Sequence, residues 1–259
     1  MLARLTDVYV RELQGFTGFG EVTPLPGLHH ESLKNAEEQL LSVSHEIAGH
    51  VPPPGKLSVW LNRFGSLYPS VRTGVEMAAL HLQARCFKVP IASLLLLEAR
   101  QAGAPCAWRV ATSHIRLNGL LDRATGTAKN SHGKEMVTIL KVKVGGATVE
   151  EDVNRVNKLV STMTSSRVRL RLDANQAWTL DQAATFLRGL KEPGVIEYIE
   201  EPLQNPREIP KLWKLCNGSV SFALDESLHD SIYDGMGLFD MEGLVAVVLK
   251  PTVLGGLDR

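Results

Sequence analysis

The chain has 259 residues, 44% of them apolar, which is enough for one large or two modest domains with a real hydrophobic core. Its 28 basic and 28 acidic residues balance, so bulk charge points to neither nucleic acid nor an anionic membrane, and no apolar run approaches the ~20 residues of a bilayer span. Cys86, Cys106 and Cys216 are isolated and odd in number, which suits a reducing compartment and offers neither a disulfide framework nor a zinc knuckle.

The opening MLARLTDVYV lacks the apolar stretch of a secretory signal and is too short and too acidic for a transit peptide. DVYVREL and GFGEVTPL then read as short strands around a Gly-containing turn. From about Glu31 to Ile47, Leu33, Ala36, Leu40, Val43 and Ile47 recur at helical intervals. VPPPGK reads as a loop, and a second helix rich in Ala, Leu and Met is expected from about Ser70 to Arg85. Residues 1–107 are therefore expected to form an α+β domain.

Beyond residue 107 strands alternate with helices, which implies a parallel sheet. Strands are expected near 114–121, 139–145, 168–174, 195–201, 220–226 and 245–250. Val153, Val156, Val160 and Met163 stripe the helix after the second strand, and Thr179 with Gln182 makes a capping box for the next. The helix after the fourth strand follows a Pro-rich turn and carries Ile209, Leu212, Trp213 and Cys216. Side-chain parity favours a closing barrel. Bulky Leu140, Val142, Val144, Phe222, Leu224, Val245, Val247 and Leu249 are assigned to the helix layer, with Lys141, Lys143, Ala223, Asp225, Ala246 and Lys250 inside. Parity does not separate Glu200 from Glu201. Residues 108–259 hold about six βα units, whereas a complete eightfold barrel takes about 250 residues. The fold class expected is α/β: an incomplete TIM-like barrel cut short after its sixth strand, preceded by the α+β domain.

The last five of these strands each end on a charged station: Lys141/Lys143, Asp173, Glu200, Asp225 and Lys250 follow one another at about 25 to 30 residues. A parallel barrel gathers these ends on the face where such folds place their chemistry. Alone, each carboxylate reads as a solvated acid or a helix cap. Three at equivalent places on consecutive strands offer hard oxygen ligands to Mg²⁺. Lys141 and Lys143 point to one side of one strand, where a second cation and desolvation favour a neutral amine able to take a proton α to a carboxylate. Lys250 is placed to stabilise the anion so formed, since charge aimed at developing oxygens lowers such barriers. Two other motifs fail. The histidines of HEIAGH, His45 and His50, lie about 140° apart on a helix and miss zincin spacing. The Gly pairs at 145–146 and 255–256 lack a dinucleotide fingerprint and read as turns.

LKVKVG, LRLDANQAW, IEEP, FALDESL and VVLKPTVLGG together resemble the enolase superfamily in its muconate-lactonising branch, and most of all its o-succinylbenzoate synthases. The wording is similar to the synthase region of plant multifunctional proteins of phylloquinone biosynthesis. GFGEVTPLPGLHHESL and PSVRTGVEMAAL resemble the capping domain of that family, so the likeness runs the length of the chain. It implies Asp173, Glu200 and Asp225 as Mg²⁺ ligands, Lys143 as the base, Lys141 as its electrostatic aid, Lys250 across the substrate ring, and Arg171 as a substrate-positioning group. For Arg171 a plain salt bridge inside the barrel is the competing expectation. The implied reaction is dehydration of a small-molecule carboxylate, 2-succinyl-6-hydroxy-2,4-cyclohexadiene-1-carboxylate, to 2-succinylbenzoate. N-acylamino acid racemisation, muconate-type cycloisomerisation and a non-catalytic fragment of a larger multidomain protein are the alternatives. Location follows the plant likeness, chloroplast stroma, and is otherwise cytoplasmic. Because the pattern's last two strands are missing, little activity and low stability are expected of this chain alone.

Overall fold

The computed structural model describes residues 10–13, 16–47, 52–103, 117–121, 128–129, 139–163, 168–229 and 241–257. The expected domain boundary at 107/108, Cys106, His50, residues 1–9 and the 114–116 part of the first barrel strand lie outside the described residues. Packing groups residues 1–111 with 249–259 in one unit and residues 112–248 in another.

In the first unit β1 (Val10–Leu13) pairs antiparallel with β2 (Phe16–Gly18). Four helices follow: α1 (Leu33–Ile47), α2 (Leu57–Leu61, extended by a 3-10 turn over Asn62–Phe64), α3 (Pro69–Phe87) and α4 (Ile91–Gln101). Ala36, Leu40 and Ile47 of α1 are buried, as the helical spacing of the sequence requires. The second strand does not continue through GFGEVTPL as expected; it stops at Gly18. Its backbone instead presses onto α3, where a Cβ at Gly18 would fall 2.0 Å from Ala78 O and one at Gly20 1.8 Å from Gly74 O. Glycine alone permits that approach, and Pro24 and Pro26 then lack the N–H groups a ladder needs.

α3 is buried on nearly every side, including Arg72, Thr73 and Glu76. These polar groups are satisfied by the segment 251–257. Thr73 Oγ1 donates to Pro251 O at 2.9 Å, Arg72 donates to Gly255 O at 2.6 Å, and Leu257 N donates to Glu76 Oε2 at 2.8 Å. Glu31 accepts from Ser70 N and Oγ at 3.1 and 2.6 Å, placing an anion at the N-terminus of α3.

The second unit is a seven-stranded sheet. Its strands are β3 (Asn118–Leu121), β4 (Ala128–Lys129), β5 (Ile139–Lys143), β6 (Arg169–Asp173), β7 (Ile196–Glu200), β8 (Phe222–Leu224) and β9 (Leu244–Val247), in the order β4-β3-β5-β6-β7-β8-β9. Every neighbouring pair is parallel except β3 with β4. Six parallel strands with helices between them make the incomplete α/β barrel that the sequence implied, with β4 as an addition it did not.

Helices α5 (Val149–Thr162), α6 (Leu180–Gly189) and α7 (Ile209–Leu215) cover one face. Val142, Leu170, Leu172, Ile199, Phe222 and Leu224 from the sheet pack there with Val156, Phe186 and Leu212. Burial of each large apolar side chain stabilises by roughly 1.5–3 kcal/mol. Thr148 with Glu151 and Thr179 with Gln182 close capping boxes on α5 and α6, and the sequence reading found only the second.

Two register shifts decide which side chains face which way. Between β6 and β7, Leu170 pairs with Ile196 but Arg171 with Tyr198, so Glu197 is an extra residue on β7. That shift puts Ile196 in the helix-side core with Ile199, while Tyr198 and Glu200 turn to the other face. On β9 the expectation that bulky residues meet a helix layer is corrected. Val245 and Val247 are 59% and 44% exposed, because β9 is an edge strand with β8 as its one neighbour among the described residues.

Candidate functional site

Parallel pairing sets the site's levels before any side chain is considered. Lys143 aligns with Asp173, Asp173 with Glu200, and Glu200 with Ala223, all at C-terminal strand ends. One step earlier Lys141, Arg171 and Tyr198 align. Strands lie about 4.8 Å apart, so Lys143, Asp173 and Glu200 span roughly 10 Å along one row.

The lysines tie that row together. Lys141 Nζ lies 2.9 Å from Asp173 Oδ2 and donates to Glu200 Oε1 and Oε2 at 2.9 and 2.7 Å. Lys143 Nζ donates to Asp173 Oδ2 and to Asn175 Oδ1, each at 2.5 Å. Asp173 and Glu200 are each 1% exposed, so these are charge-assisted bonds in a poorly solvated place.

The protonation balance is uneven. Burial works against the charge of Lys141, but its bonds to Asp173 and Glu200 overcome that and raise its pKa. Burial also opposes the Asp173 charge, and the two lysines together still lower its pKa. Glu200 goes the other way, pushed up to about 7 by burial above all, with the charge of Asp173 and a hydrogen bond with Asp225 adding to it against the pull of Lys141. The pocket therefore holds more carboxylate than its two ammonium groups compensate.

Asp225 follows directly on β8 and is 3% exposed. The segments after β6, β7 and β8 are joined by a residue that sequence parity left ambiguous. Glu201 is fully buried and accepts from Asp225 N at 2.6 Å, Ser227 N at 2.8 Å, Ser227 Oγ at 2.6 Å and Gln176 Nε2 at 3.3 Å. Glu200 thus faces the lysines, and Glu201 faces the loops. Asn175, Gln176 and Glu201 have φ of 45°, 59° and 43°, left-handed conformations that cost about 1–3 kcal/mol each and cluster at functional sites.

Asn175 and Glu226 were missed by the sequence reading. Asn175 Nδ2 donates to Glu226 Oε1 at 2.6 Å while its Oδ1 receives Lys143, so it fixes the Lys143 ammonium from the loop side. The signal was present in the D-x-N and D-E-S wording but carried no spacing argument. Arg171 donates to Glu197 Oε2 at 2.6 Å and to Asn118 Oδ1 at 2.8 Å and lies 4.9 Å over the Tyr198 ring, so the barrel salt bridge anticipated for it is present. Lys250 belongs to the first unit, at the N-cap of the short helix Pro251–Leu254.

Among the described residues no three His, Cys, Asp or Glu side chains already surround a point able to hold a metal, and lysine ammonium groups bond the Asp173 and Glu200 carboxylates. The donor chemistry nevertheless fits a hard dication. The candidate ligands are carboxylates at adjacent strand ends, Asp173, Glu200 and Asp225, all buried and all oxygen donors.

Comparison with known proteins shows the family and the fold. A family profile described as Enolase C-terminal domain-like matches residues 123–259. The o-succinylbenzoate synthase of Aliivibrio fischeri (strain MJ11) is 30% identical over 250 residues, covering 94% of this chain and 64% of the relative. Protein PHYLLO, chloroplastic, of Arabidopsis thaliana is 30% identical over 267 residues, covering 95% of this chain and 15% of that protein. The structure of an enolase superfamily member from Roseovarius nubinhibens ISM complexed with magnesium superposes with a TM-score of 0.69 at 19% identity, over 95% of this chain and 64% of the other. The chain thus spans under two thirds of the length of these relatives.

Proposed function

Because this chain belongs to the family of enolase C-terminal domain-like proteins, we propose that the carboxylate–lysine row is a magnesium site that removes a proton next to a carboxylate. The observation that carries the reading is the alignment of Lys143, Asp173 and Glu200 on three adjacent parallel strands, with Lys141 bonded to both carboxylates. Asp173, Glu200 and Asp225 would hold the ion. Bound there, Mg²⁺ supplies positive charge to the substrate carboxylate as an enediolate develops.

The rest is the work of side chains. Lys143 Nζ takes the α-proton, and the electron pair left on carbon spreads into the carboxylate. Return of that pair expels the β-hydroxyl, which leaves as water with the proton from Lys143. Lys141 holds charge beside the reacting carboxylate from its place between Asp173 and Glu200. Arg171 positions substrate from a guanidinium already fixed by Glu197 and Asn118, and Lys250 is assigned to the developing anion by resemblance.

The substrate proposed is 2-succinyl-6-hydroxy-2,4-cyclohexadiene-1-carboxylate and the product 2-succinylbenzoate, supported by the synthase relatives of similar wording. The chloroplast name of the Arabidopsis relative supports a plastid setting, and its length, of which this chain covers 15%, supports a role as one region of a larger protein; a place in phylloquinone biosynthesis is carried over by resemblance. Incubating the chain with Mg²⁺ and that substrate should yield aromatic product by NMR at a low rate, as expected of a chain that spans 64% of its synthase relative, and Lys143→Ala should cut that rate about 10²–10⁴-fold. Racemisation of N-acylamino acids without any aromatic product would overturn the dehydratase assignment.

A further inference from the structure

We propose that Glu201 is a positioning residue that locks the Asp225 segment, and with it the third carboxylate, against the ends of β6 and β7. The inference rests on the magnesium reading above for its consequence, though not for its geometry. Glu201 is 0% exposed, and its four hydrogen-bond donors come from the segments after β6 and β8. One oxygen, Oε1, accepts both backbone amides of the β8 segment, from Asp225 and Ser227. The other, Oε2, accepts the Ser227 hydroxyl and the Gln176 amide.

A purely structural acid could have satisfied its two oxygens locally. This one accepts from the amide of Asp225 itself, so the backbone that carries the Asp225 carboxylate is held directly. Asp225 lies just past the last ladder residue, Leu224, and Glu201 supplies a fixed acceptor beyond the strand's end. The left-handed backbone of Glu201, φ 43°, turns its side chain away from the face of Glu200 and towards the loops. Neighbours that orient metal ligands in this way typically govern affinity by 10–100-fold.

The test compares Glu201→Gln, Glu201→Ala and Ser227→Ala in the whole chain. Mn²⁺ affinity is read by electron paramagnetic resonance, and amide hydrogen exchange is read at residues 225 and 227. Glutamine keeps an oxygen for the two backbone amides, so Glu201→Gln should stay within about threefold of the parent in Mn²⁺ affinity, with both amides protected. Glu201→Ala should weaken Mn²⁺ by about 10–100-fold and deprotect those two amides selectively. Ser227→Ala, which removes the hydroxyl's bonds to Glu201 and from Gln176 but leaves both backbone amides in place, should lie between them and covers the case in which Glu201→Ala does not fold. Equal Mn²⁺ affinity in all variants, with residue 225 still protected, overturns the proposal. A parent chain that binds no Mn²⁺ defeats the magnesium reading instead, and the exchange pattern then still decides whether Glu201 fixes the segment.

Discussion

Glu200 and Glu201 sit side by side in the sequence and do opposite things. One accepts from the Lys141 ammonium and the other from two backbone amides. Alternation could not separate them, because Ile196 and Tyr198 would share the Glu200 face in an unbroken strand. The extra residue Glu197 resolves this by sending Ile196 to the helix side. Such shifts depend on pairing with a neighbour and leave no mark in one strand's own pattern. Asp173, Lys141 and Lys143 were legible because their strands run without interruption.

Glu31 offers a pH-dependent check at this scale. Burial works to raise its pKa, but the Ser70 hydroxyl and amide, with the nearby charge of His29, hold it below the ordinary carboxylate value. A lowered native pKa means the contribution is present above the unfolded pKa of ~4.3 and is lost as pH falls through the native value. Glu31→Gln should therefore cost about 1–3 kcal/mol at pH 7 by urea unfolding. The gap from the parent should shrink below pH 4, and one that stayed constant from pH 7 to 3 would contradict the assignment.

At the scale of elements, helices marked by an apolar stripe, a cap, or a dense run of Ala, Leu and Met were readable. α1, α3, α5, α6 and α7 fall close to their expected spans. α2 is five residues long, and α4 carries an unbroken apolar run of which only Leu94 is buried, so neither gave a periodic signal. The caps make a simple prediction. Thr148→Ala and Thr179→Ala should each cost about 1 kcal/mol, read as a shift in thermal midpoint, because each leaves a first-turn amide of α5 or α6 without its acceptor. The exposed edge of β9 makes another. Val247→Lys should reduce light scattering on concentration without changing the circular dichroism spectrum, because charge on an edge strand opposes strand-to-strand association. Unchanged scattering would show that this edge is not what associates.

At the scale of the whole molecule, the six parallel strands were legible from apolar runs alternating with helical stretches, five of them ending on a charge. The grouping of residues 249–259 with the first unit was not, since the bonds from Arg72, Thr73 and Glu76 that hold the segment join residues about 180 apart in sequence. The central claim is that three strand ends assemble one divalent-cation site. The direct measurement is a Mn²⁺ titration of the intact chain followed by electron paramagnetic resonance, beside Asp173→Asn and Glu200→Gln with their circular dichroism confirmed unchanged. The account predicts one site per chain in the parent and at least about tenfold weaker binding in either variant. Equal affinity in all three proteins would contradict it.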